Sequence, residues 1–376
     1  MPTTEFRLYI DNQCASAEQL AAFSSIRVEQ AVGMAAAAEL QMPLVPDDDG
    51  VWAGLDEAAA QPFARIRIDI KVGNGDFVSL LDGPVIGQRF ELDAAPDRSH
   101  LTIVAHDDSV LLDRDEKVAV HENQALSALV RDLIEEPGLD SRVDAQLPDP
   151  ASAVDRYFVQ RGTNMQTLRA LAKRFGMFVY VEPGPNPGRS VGVFEAAAAR
   201  DDGLPQLVLL GADRNIATFS AEFDALRPQT AKAGTVRVID KEPISGEASS
   251  ASRPSDGALG DAAAHSLVTP SKTLLRDTRE EQADLDAETV GLVDASSWAY
   301  AARGELDADL YSGVLRPHRR VTVTGIGPQL SGDYLIARVL HEISDGGYRQ
   351  SFALARNARS TGSGGGGLLS ALSGVF

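Results

Sequence analysis

His106, Asp107 and Asp108 stand side by side and could together perform acid–base chemistry. A histidine beside carboxylates could activate water for hydrolysis, because imidazole exchanges protons near neutral pH. The triplet follows an alternating apolar segment, Leu101–Ala105, at the point where a strand would enter a turn. Solvated turn residues outnumber catalytic ones in such contexts. We therefore interpret the triplet as a turn, and a β-barrel hydrolase that uses these three residues is the alternative from another class.

Other residues with chemical potential lack the spacing that their chemistry needs. The six histidines show no pair at metal-ligand spacing, and Asp47-Asp48-Asp49-Gly50 lacks the alternating ligands of a calcium loop. Cys14 is the only cysteine, so no intrachain disulfide can form, and no histidine is adjacent to it in sequence. No phosphate-binding glycine loop is present. The sequence predicts no catalytic residue, no metal, no cofactor and no enzymatic activity.

The charge balance narrows the range of partners. The 376 residues carry a formal net charge of −19, with a pI near 4.7. Such a field repels nucleic acid and anionic membrane surfaces. No apolar run approaches the roughly 18 residues of a membrane span. We expect no specific nucleic-acid binding and no membrane insertion by this chain itself.

The first third of the chain alternates apolar and polar residues with a period of two, which is typical of strands. The pattern is clearest in residues 63–72, where Ile66, Ile68, Ile70 and Val72 share one face. Turn residues 73–76 follow, and a return strand at 77–81 completes a predicted hairpin. We expect further strands at Arg7–Ile10, Ser25–Val32, Gln88–Leu92 and Leu101–Ala105.

The middle of the chain changes to a helical period. Apolar residues recur at i, i+3, i+4 and i+7 between 125 and 134, with Asn123 as the expected N-cap. A unit of strand, helix, strand and strand follows, with the helix ending at Gly176. Its predicted strands are Tyr157–Gln160, Met177–Val181 and Ser190–Phe194.

The last third predicts strands on both sides of a polar segment. Residues 242–287 are poor in large apolar side chains, and we expect a surface excursion that buries too little to order itself. A helix is predicted near Ala295–Arg303. The predicted strands lie at 216–223, 234–239, 319–325, 334–340 and 348–354.

These elements predict an α+β, β-rich fold. It has two small antiparallel β-barrel (tube-like) domains with a mixed α/β domain between them. The predicted domains are residues 1–112, the first barrel; 113–212, the mixed α/β domain; 213–357, the second barrel with the polar excursion 242–287; and 358–376, a C-terminal tail.

The C-terminal tail combines a flexible tether with an apolar segment. Gly362 to Gly367 is a Gly/Ser tract, and apolar residues then recur near i, i+3, i+4, i+7 and i+8, as in a short helix that lies in a groove. We predict a partner-binding site formed by Leu368, Leu369, Leu372, Val375 and Phe376.

Three blocks resemble the phage late control gene D and VgrG hub family. The most specific block is Tyr157–Gly162, followed by Met165, Leu168, Ala172 and Gly176. The other two are Leu101–Asp107 with the following helix, and residues 330–341 with 347–357. The three blocks occur in the family's order. Unlike VgrG proteins, the chain has no C-terminal repeat that could form a spike.

The resemblance implies a structural baseplate hub of a contractile phage tail or phage-like injection system, adapting the six-fold tail tube to a separate three-fold central spike. A hub of an extracellular contractile injection particle that delivers protein cargo is an alternative within the same fold. The implied partners are two further copies in a homotrimer, the tail tube protein, the spike protein, and also the tape-measure protein and baseplate wedge. The implied location is a virion tail or injection particle assembled in the bacterial cytoplasm, with structural roles for Gly332 and Tyr334.

Overall fold

The computed structural model shows an α+β chain rich in strand, as the alternating sequence predicts. The structure divides into two compact units, and the predicted domain boundaries stay a prediction. The first unit comprises Met1–Ala197, Ser312–Pro317 and Ala337–Phe352, and the second comprises Ala198–Tyr311, His318–Ile336 and Ala353–Phe376. The residues described are 4–46, 48–50, 52, 57–95, 98–122, 124–144, 157–197, 199–237, 240–250, 258–275, 282–307, 310–344 and 347–360.

The first unit contains twelve strands and four α-helices of its own among the described residues. These are β1 (Thr4–Ile10), β2 (Gln13–Cys14), α1 (Ala17–Ala21), β3 (Ser25–Ala31), β4 (Ala37–Pro43), β5 (Arg65–Val72), β6 (Val78–Glu91), β7 (His100–His106), α2 (Ser109–Leu112), β8 (Lys117–Glu122), α3 (Leu126–Glu135), β9 (Asp140–Val143), β10 (Tyr157–Gly162), α4 (Asn164–Phe175), β11 (Met177–Pro183) and β12 (Ser190–Ala196), with a 3-10 turn at Ala58–Ala60.

The second unit follows in the chain, and two long strands contribute residues to both units. Its elements are β13 (Leu207–Val208), β14 (Ile216–Phe223), β15 (Gln229–Val236), β16 (Pro243–Ala248), β17 (Ala262–Ala263), a 3-10 turn (Ala264–Leu267), β18 (Ser271–Leu274), α5 (Gln282–Ser296), β19 (Tyr300–Leu306), β20 (Arg320–Thr324), the shared strands β21 (Gly332–Ser344) and β22 (Gly347–Arg356), and β23 (Ala358–Arg359).

An antiparallel sheet forms the body of the first unit, in the order β21-β3-β4-β7-β6-β5-β1-β2. Its apolar side chains alternate along each strand and meet in one core, because every second residue of a strand faces the same side. Ile66, Ile68 and Ile70 of β5 are fully buried in this core. Val314, Ile343 and Tyr348, from much later in the chain, belong to the same core.

Strand β5 is paired along both edges. The predicted hairpin forms, since β5 pairs with β6, and β1 covers the other edge from Thr4↔Val72 to Ile10↔Ile66. Both edges of this strand are therefore covered within the first unit.

A helical layer completes the first unit. The helices α3 and α4 pack on a small sheet in the order β11-β12-β9. Helix α3 begins after Ala125, its N-cap, and Asn123 lies outside the described residues. Thr163 and Gln166 form a capping box on α4, which ends at Gly176 in the left-handed conformation, as predicted. The strands β8 and β10 form a separate two-stranded ribbon.

The second unit orders part of the segment that was expected to be a surface excursion. β16 pairs with β15, and α5 packs on both strands. Small side chains let the helix lie close to the sheet, so that Ala231 and Ala248 meet Val293, and Ile244 meets Leu285. The expectation that residues 242–287 cannot order themselves is wrong for the described part of that segment.

The helix predicted at Ala295–Arg303 is also corrected. Helix α5 ends at Ser296, and Tyr300–Leu306 forms the strand β19, which pairs with β14. Almost every described side chain of α5 from Leu285 onward is buried or half-buried. A helix surrounded on all sides shows no amphipathic stripe, so its position cannot be found from periodicity.

Candidate functional site

The structure places the predicted acid–base triplet where β7 passes into α2. His106 is half-buried, whereas Asp107 and Asp108 are buried. The expectation of a solvated turn is therefore wrong for both carboxylates. The physical reason is a close approach of β6, since a Cβ on Gly83 would lie 2.0 Å from the carbonyl oxygen of His106.

Asp107 fastens the start of α2 to the segment before β4. Its Oδ2 accepts a hydrogen bond from the amide of Ala36 at 2.6 Å, and its Oδ1 accepts one from the amide of Ser109 at 2.9 Å. Burial raises the pKa of the Asp107 carboxyl to about 6, against the opposing effect of these hydrogen bonds. Burial also lowers the pKa of His106.

Asp108 belongs to an ionic cluster that consists of Arg65, Arg67, Asp69, Asp82 and Asp108. The Arg65 guanidinium donates to Asp108 at 2.5 and 3.1 Å and to Asp82 at 2.7 Å. Arg67 donates to Asp69 at 2.8 Å, to Asp82 at 3.2 Å and to the hydroxyl of Ser79. Three carboxylates thus share two guanidinium groups beneath the surface of the sheet.

The turn between β11 and β12, residues 184–189, reaches into this ionic cluster through its backbone. The carbonyl of Gly184 accepts from Arg67 at 2.8 Å, and the amide of Gly188 donates to Asp82 at 3.0 Å. Asp82 is completely buried and collects donors from both arginines and from Gly188. Burial raises the pKa of the Asp82 carboxyl, and Arg65, followed by Gly188 and Arg67, opposes that rise.

The geometry around His106 does not resemble a hydrolytic centre. Among the residues that the structure describes, no hydrogen bond joins His106 to Asp107 or to Asp108. A general base needs an orienting partner, and both carboxylates here are already engaged by backbone amides or by Arg65. The hydrogen bonds of Asp107 and Asp108 join the β7–α2 junction to β5 and to the segment before β4.

A second histidine lies beside a serine, a combination that the sequence did not single out. In the second unit, Nε2 of His265 is 3.1 Å from the Ser296 hydroxyl and 3.0 Å from the carbonyl oxygen of Gln229. A carbonyl can only accept, so Nε2 carries the proton and cannot remove one from Ser296. The Ser296 hydroxyl itself donates to the carbonyl of Val293 at 2.8 Å. This pair connects α5 to β15 and lacks the proton arrangement of a nucleophile with its base.

The roles implied for Gly332 and Tyr334 are structural in the second unit. Gly332 has φ +133°, and a Cβ there would lie 2.7 Å from Nη2 of Arg356. The buried Tyr334 hydroxyl donates to the carbonyl of Leu330 at 2.6 Å, and the Arg356 guanidinium lies 5.1 Å from the Tyr334 ring centre. Arg356 also donates to Leu259 at 2.7 Å and to Ser360 at 2.8 Å. It thereby fixes the last described residue of the chain.

The predicted partner-binding residues of the tail, Leu368, Leu369, Leu372, Val375 and Phe376, lie outside the described residues. The described part of the second unit offers another surface for a partner chain. Among the residues that the structure describes, β14 is the terminal strand of its sheet, and β19 is its one strand partner. After Ile216 none of its side chains is buried, and Leu226 in the following turn is 84% exposed.

The sequence contains a signal for the ionic cluster that the alternation of apolar and polar residues does not reveal. Arg65, Arg67 and Asp69 occupy the face of β5 opposite the isoleucines, and Arg67 and Asp69 are buried there. Three ionisable residues of both signs at a spacing of two are compatible with a buried ion-pair network. Their partners Asp82, Asp108 and the 184–189 turn are distant in sequence, so the pattern alone cannot identify them.

The described residues contain neither a metal-binding cluster nor a membrane-spanning helix. In those ranges, no three His, Cys, Asp or Glu side chains are placed to hold a metal ion. Over the same part of the chain, no helix has the length and apolar character needed to cross a membrane.

Comparison with solved structures shows a fold shared with phage tail proteins. The prophage MuSo2 43 kDa tail protein from Shewanella oneidensis aligns with a TM-score of 0.65 at 14% identity, over 94% of this chain and 99% of that chain. A tail protein from Neisseria meningitidis MC58 aligns with a TM-score of 0.58 at 13% identity, over 94% and 96%. An Escherichia coli type VI secretion component, described as similar to bacteriophage T4 gp27 and gp5, aligns with a TM-score of 0.51 at 10% identity, over 94% and 76%.

The chain therefore shares its fold with these phage tail proteins. Residues 4–345 match the model of the family described as "Alg8 N-terminal domain", and the chain belongs to that family. The matching family is not that of late control gene D, which corrects the resemblance at the level of the family name. No curated protein matches the sequence.

Proposed function

We propose that this chain is a non-enzymatic hub subunit of a contractile phage tail or phage-like injection particle, and that it joins the six-fold tail tube to a separate three-fold spike. The tail proteins that share its fold support a role in such a particle. The observation that carries the proposal is the open edge of β14, because a hub must bind further chains.

Strand β14 has few of the features that keep edge strands from pairing. Residues 216–223 contain no lysine, arginine or proline, and Glu222 is their only charged side chain. Natural sheets usually guard exposed edges with charge, proline or cover, since unpaired amides and carbonyls attract other strands. An edge strand with so few protective features is suited to pairing with another chain in an assembly.

A ring of three copies is the proposed assembly. A second stretch without a strand partner, among the described residues of the first unit, is the side of β1 at residues 4–7, because β2 pairs with Tyr9 and Ile10 and the Ala15 amide donates to the Leu8 carbonyl. Two different edges on one chain favour heterologous contacts, which close into rings. We expect three copies per particle in reconstructions, and two or four copies around the axis would refute the ring of three.

The edge can be tested with paired alanine-to-lysine changes. Ala217→Lys with Ala221→Lys adds charge to the exposed residues of β14, and it should reduce incorporation into particles at least tenfold while preserving the melting transition. Ala17→Lys with Ala21→Lys makes the same change, with the same spacing, on the exposed residues of α1. Equal incorporation of both variants would contradict a role for β14 in assembly.

The C-terminal tail is proposed to recruit a separate partner, with the spike ranked before a neighbouring hub subunit and the tape-measure protein. Truncation of the tail tests this proposal, and the structure indicates where the chain should be cut. β23 pairs with β17, and Ser360 binds Arg356, so a cut after Asn357 would remove part of the fold. Ending the chain after Ser360 should leave its stability unchanged and reduce spike occupancy.

A serine-substituted tail provides the control for chain length. Replacing Leu368, Leu369 and Leu372 by serine keeps the length of the tail but removes apolar surface. Full spike occupancy in both the truncated and the substituted particles would refute the tail proposal and leave the ring proposal untouched.

A further inference from the structure

The first unit has an apolar core that stops at the boundary of its helical layer. The large core cluster of the sheet includes residues from β1 to β7 together with Val314, Ile343 and Tyr348. No described side chain from 113–197 belongs to that cluster. The helical layer instead buries its own residues, among them Leu129, Leu168 and Phe194.

Several of the contacts that join the sheet to the helical layer are polar. The ionic cluster holds the 184–189 turn through the Gly184 carbonyl and the Gly188 amide, and Arg65 lies 3.4 Å from the Ser190 hydroxyl. Thr163, at the start of α4, donates to Asp113 at 2.6 Å. β11 also lies alongside β6.

A polar joint of this kind responds to opening differently from an apolar one. Burying carboxylates and guanidinium groups carries a large desolvation cost, which their mutual attraction offsets only in part. When the joint opens, water solvates these charged groups again and the desolvation free energy is recovered. Opening an apolar interface recovers no such free energy. The free energy that separates the closed from the open joint is therefore small for the number of contacts involved.

The 184–189 turn is itself rigid and self-contained. It includes Pro185 and Pro187, and Gly184 donates to the carbonyl of Arg189 at 2.7 Å. The ionic cluster forms hydrogen bonds only with backbone atoms of this turn. The turn can therefore detach and rebind as one piece without repacking of side chains.

We propose that the ionic cluster is a latch, and that the 184–189 turn can detach from it while the sheet and the helical layer both stay folded. Asp82 is the carboxylate that binds the turn directly, and Asp69 is a carboxylate of the same cluster that does not. Opening the latch would let the helical layer pivot when partner chains assemble around the hub.

Asp82→Asn tests the latch with a matched control, Asp69→Asn. The first change removes the β6 carboxylate that accepts the Gly188 amide, and it leaves the Arg65–Asp108 and Arg67–Asp69 pairs complete. The second makes the same substitution but keeps the contact between Asp82 and Gly188. Both are applied to the full chain, and a cooperative melt establishes that each variant is folded.

Tryptic cleavage after Arg189 reports opening, because a protease must draw an extended segment out of the closed turn. We expect cleavage at Arg189 to be at least tenfold faster in Asp82→Asn than in Asp69→Asn, with the sites in β5 protected in both. Amide exchange at Gly188 should accelerate in parallel. Equal cleavage rates in the two variants would overturn the latch.

Gly188→Ala provides a second route that leaves every charge in place. Gly188 has φ +79°, and an added Cβ would lie 2.7 Å from the side-chain oxygen of Asn12. This variant should also expose Arg189 to trypsin without changing protection elsewhere in the sheet. If trypsin instead cleaves all sites of Gly188→Ala at the same increased rate, the turn opens together with the rest of the chain. In that case the latch proposal fails.

Discussion

Asp107 shows how one buried side chain can make stability depend on pH in an unusual direction. Its carboxyl has a pKa near 6 in the folded chain and an ordinary value near 3.8 when unfolded. Between these two values the folded state holds a proton that the unfolded state has released. Stability from this group is therefore present below about pH 4 and decreases as the pH rises towards 6.

Asp107→Asn should remove this dependence. The amide cannot ionise, so the difference in unfolding free energy between wild type and variant should change by roughly 1.4 kcal/mol per pH unit in that window. Urea denaturation at half-unit steps from pH 4 to 6.5 measures the difference. His341, whose pKa burial lowers to about 3, contributes to both proteins and cancels.

The exposed carboxylate Asp115 provides the comparison for this measurement. Asp115→Asn changes the same functional group a few residues away, where solvent surrounds it. A difference curve for Asp107→Asn that coincides with the curve for Asp115→Asn would show that burial does not perturb Asp107 in solution.

At the scale of elements, the packing of α5 depends on the small residues beneath it. A Cβ on Gly246 would lie 3.1 Å from the backbone of Leu285, so Gly246→Ala should force α5 to shift by a few tenths of an ångström. We expect a loss of roughly 1 to 3 kcal/mol, as for overpacked cores. Chemical denaturation of the full chain measures it.

Gly234 is the matched position on the neighbouring strand β15. A Cβ there meets only the carbonyl oxygen of Ile244 at 3.8 Å, which is ordinary contact. Gly234→Ala should be neutral or mildly stabilising, because glycine weakens strand interiors. Similar effects at the two positions would mean that α5 does not rest on Gly246.

Local patterns predicted most of these elements, and the exceptions have a common cause. The period-two alternation in β5 and the cap of α4 at Gly176 are properties of neighbouring residues, and both were found. The position of α5 and the burial of Arg67 and Asp69 depend on residues far away in the chain. Periodicity cannot show whether a second layer covers the polar face of a strand.

The same limit applies to the candidate sites. The triplet at 106–108 was found by residue type, but its role depends on Arg65 and Ala36, which the sequence does not place nearby. Residues 216–223 were predicted to form a strand. The position of this strand, β14, at the end of its sheet depends on the order of all the strands, which the sequence does not show. The tail residues stay a prediction.

At the scale of the whole molecule, the first unit is built from both ends of the chain. β3 pairs with β21 from Ser25↔Ser344 to Ala31↔Arg338, and the shared core includes Ile343 and Tyr348. A fragment of residues 1–197 should therefore lack a cooperative thermal transition. The chain that ends at Ser360 serves as the folded control, and a sharp melt of the fragment would contradict the prediction.

This topology also affects the chain while it is being synthesised. The edge of β3 emerges from the ribosome roughly 300 residues before its partner in β21 exists. At about 5 to 20 residues per second, that edge waits on the order of 15 to 60 seconds. Neighbouring nascent chains on one messenger present the same unpaired strand during that interval. Slower initiation or added chaperone should therefore raise the soluble yield more than any change to the finished fold.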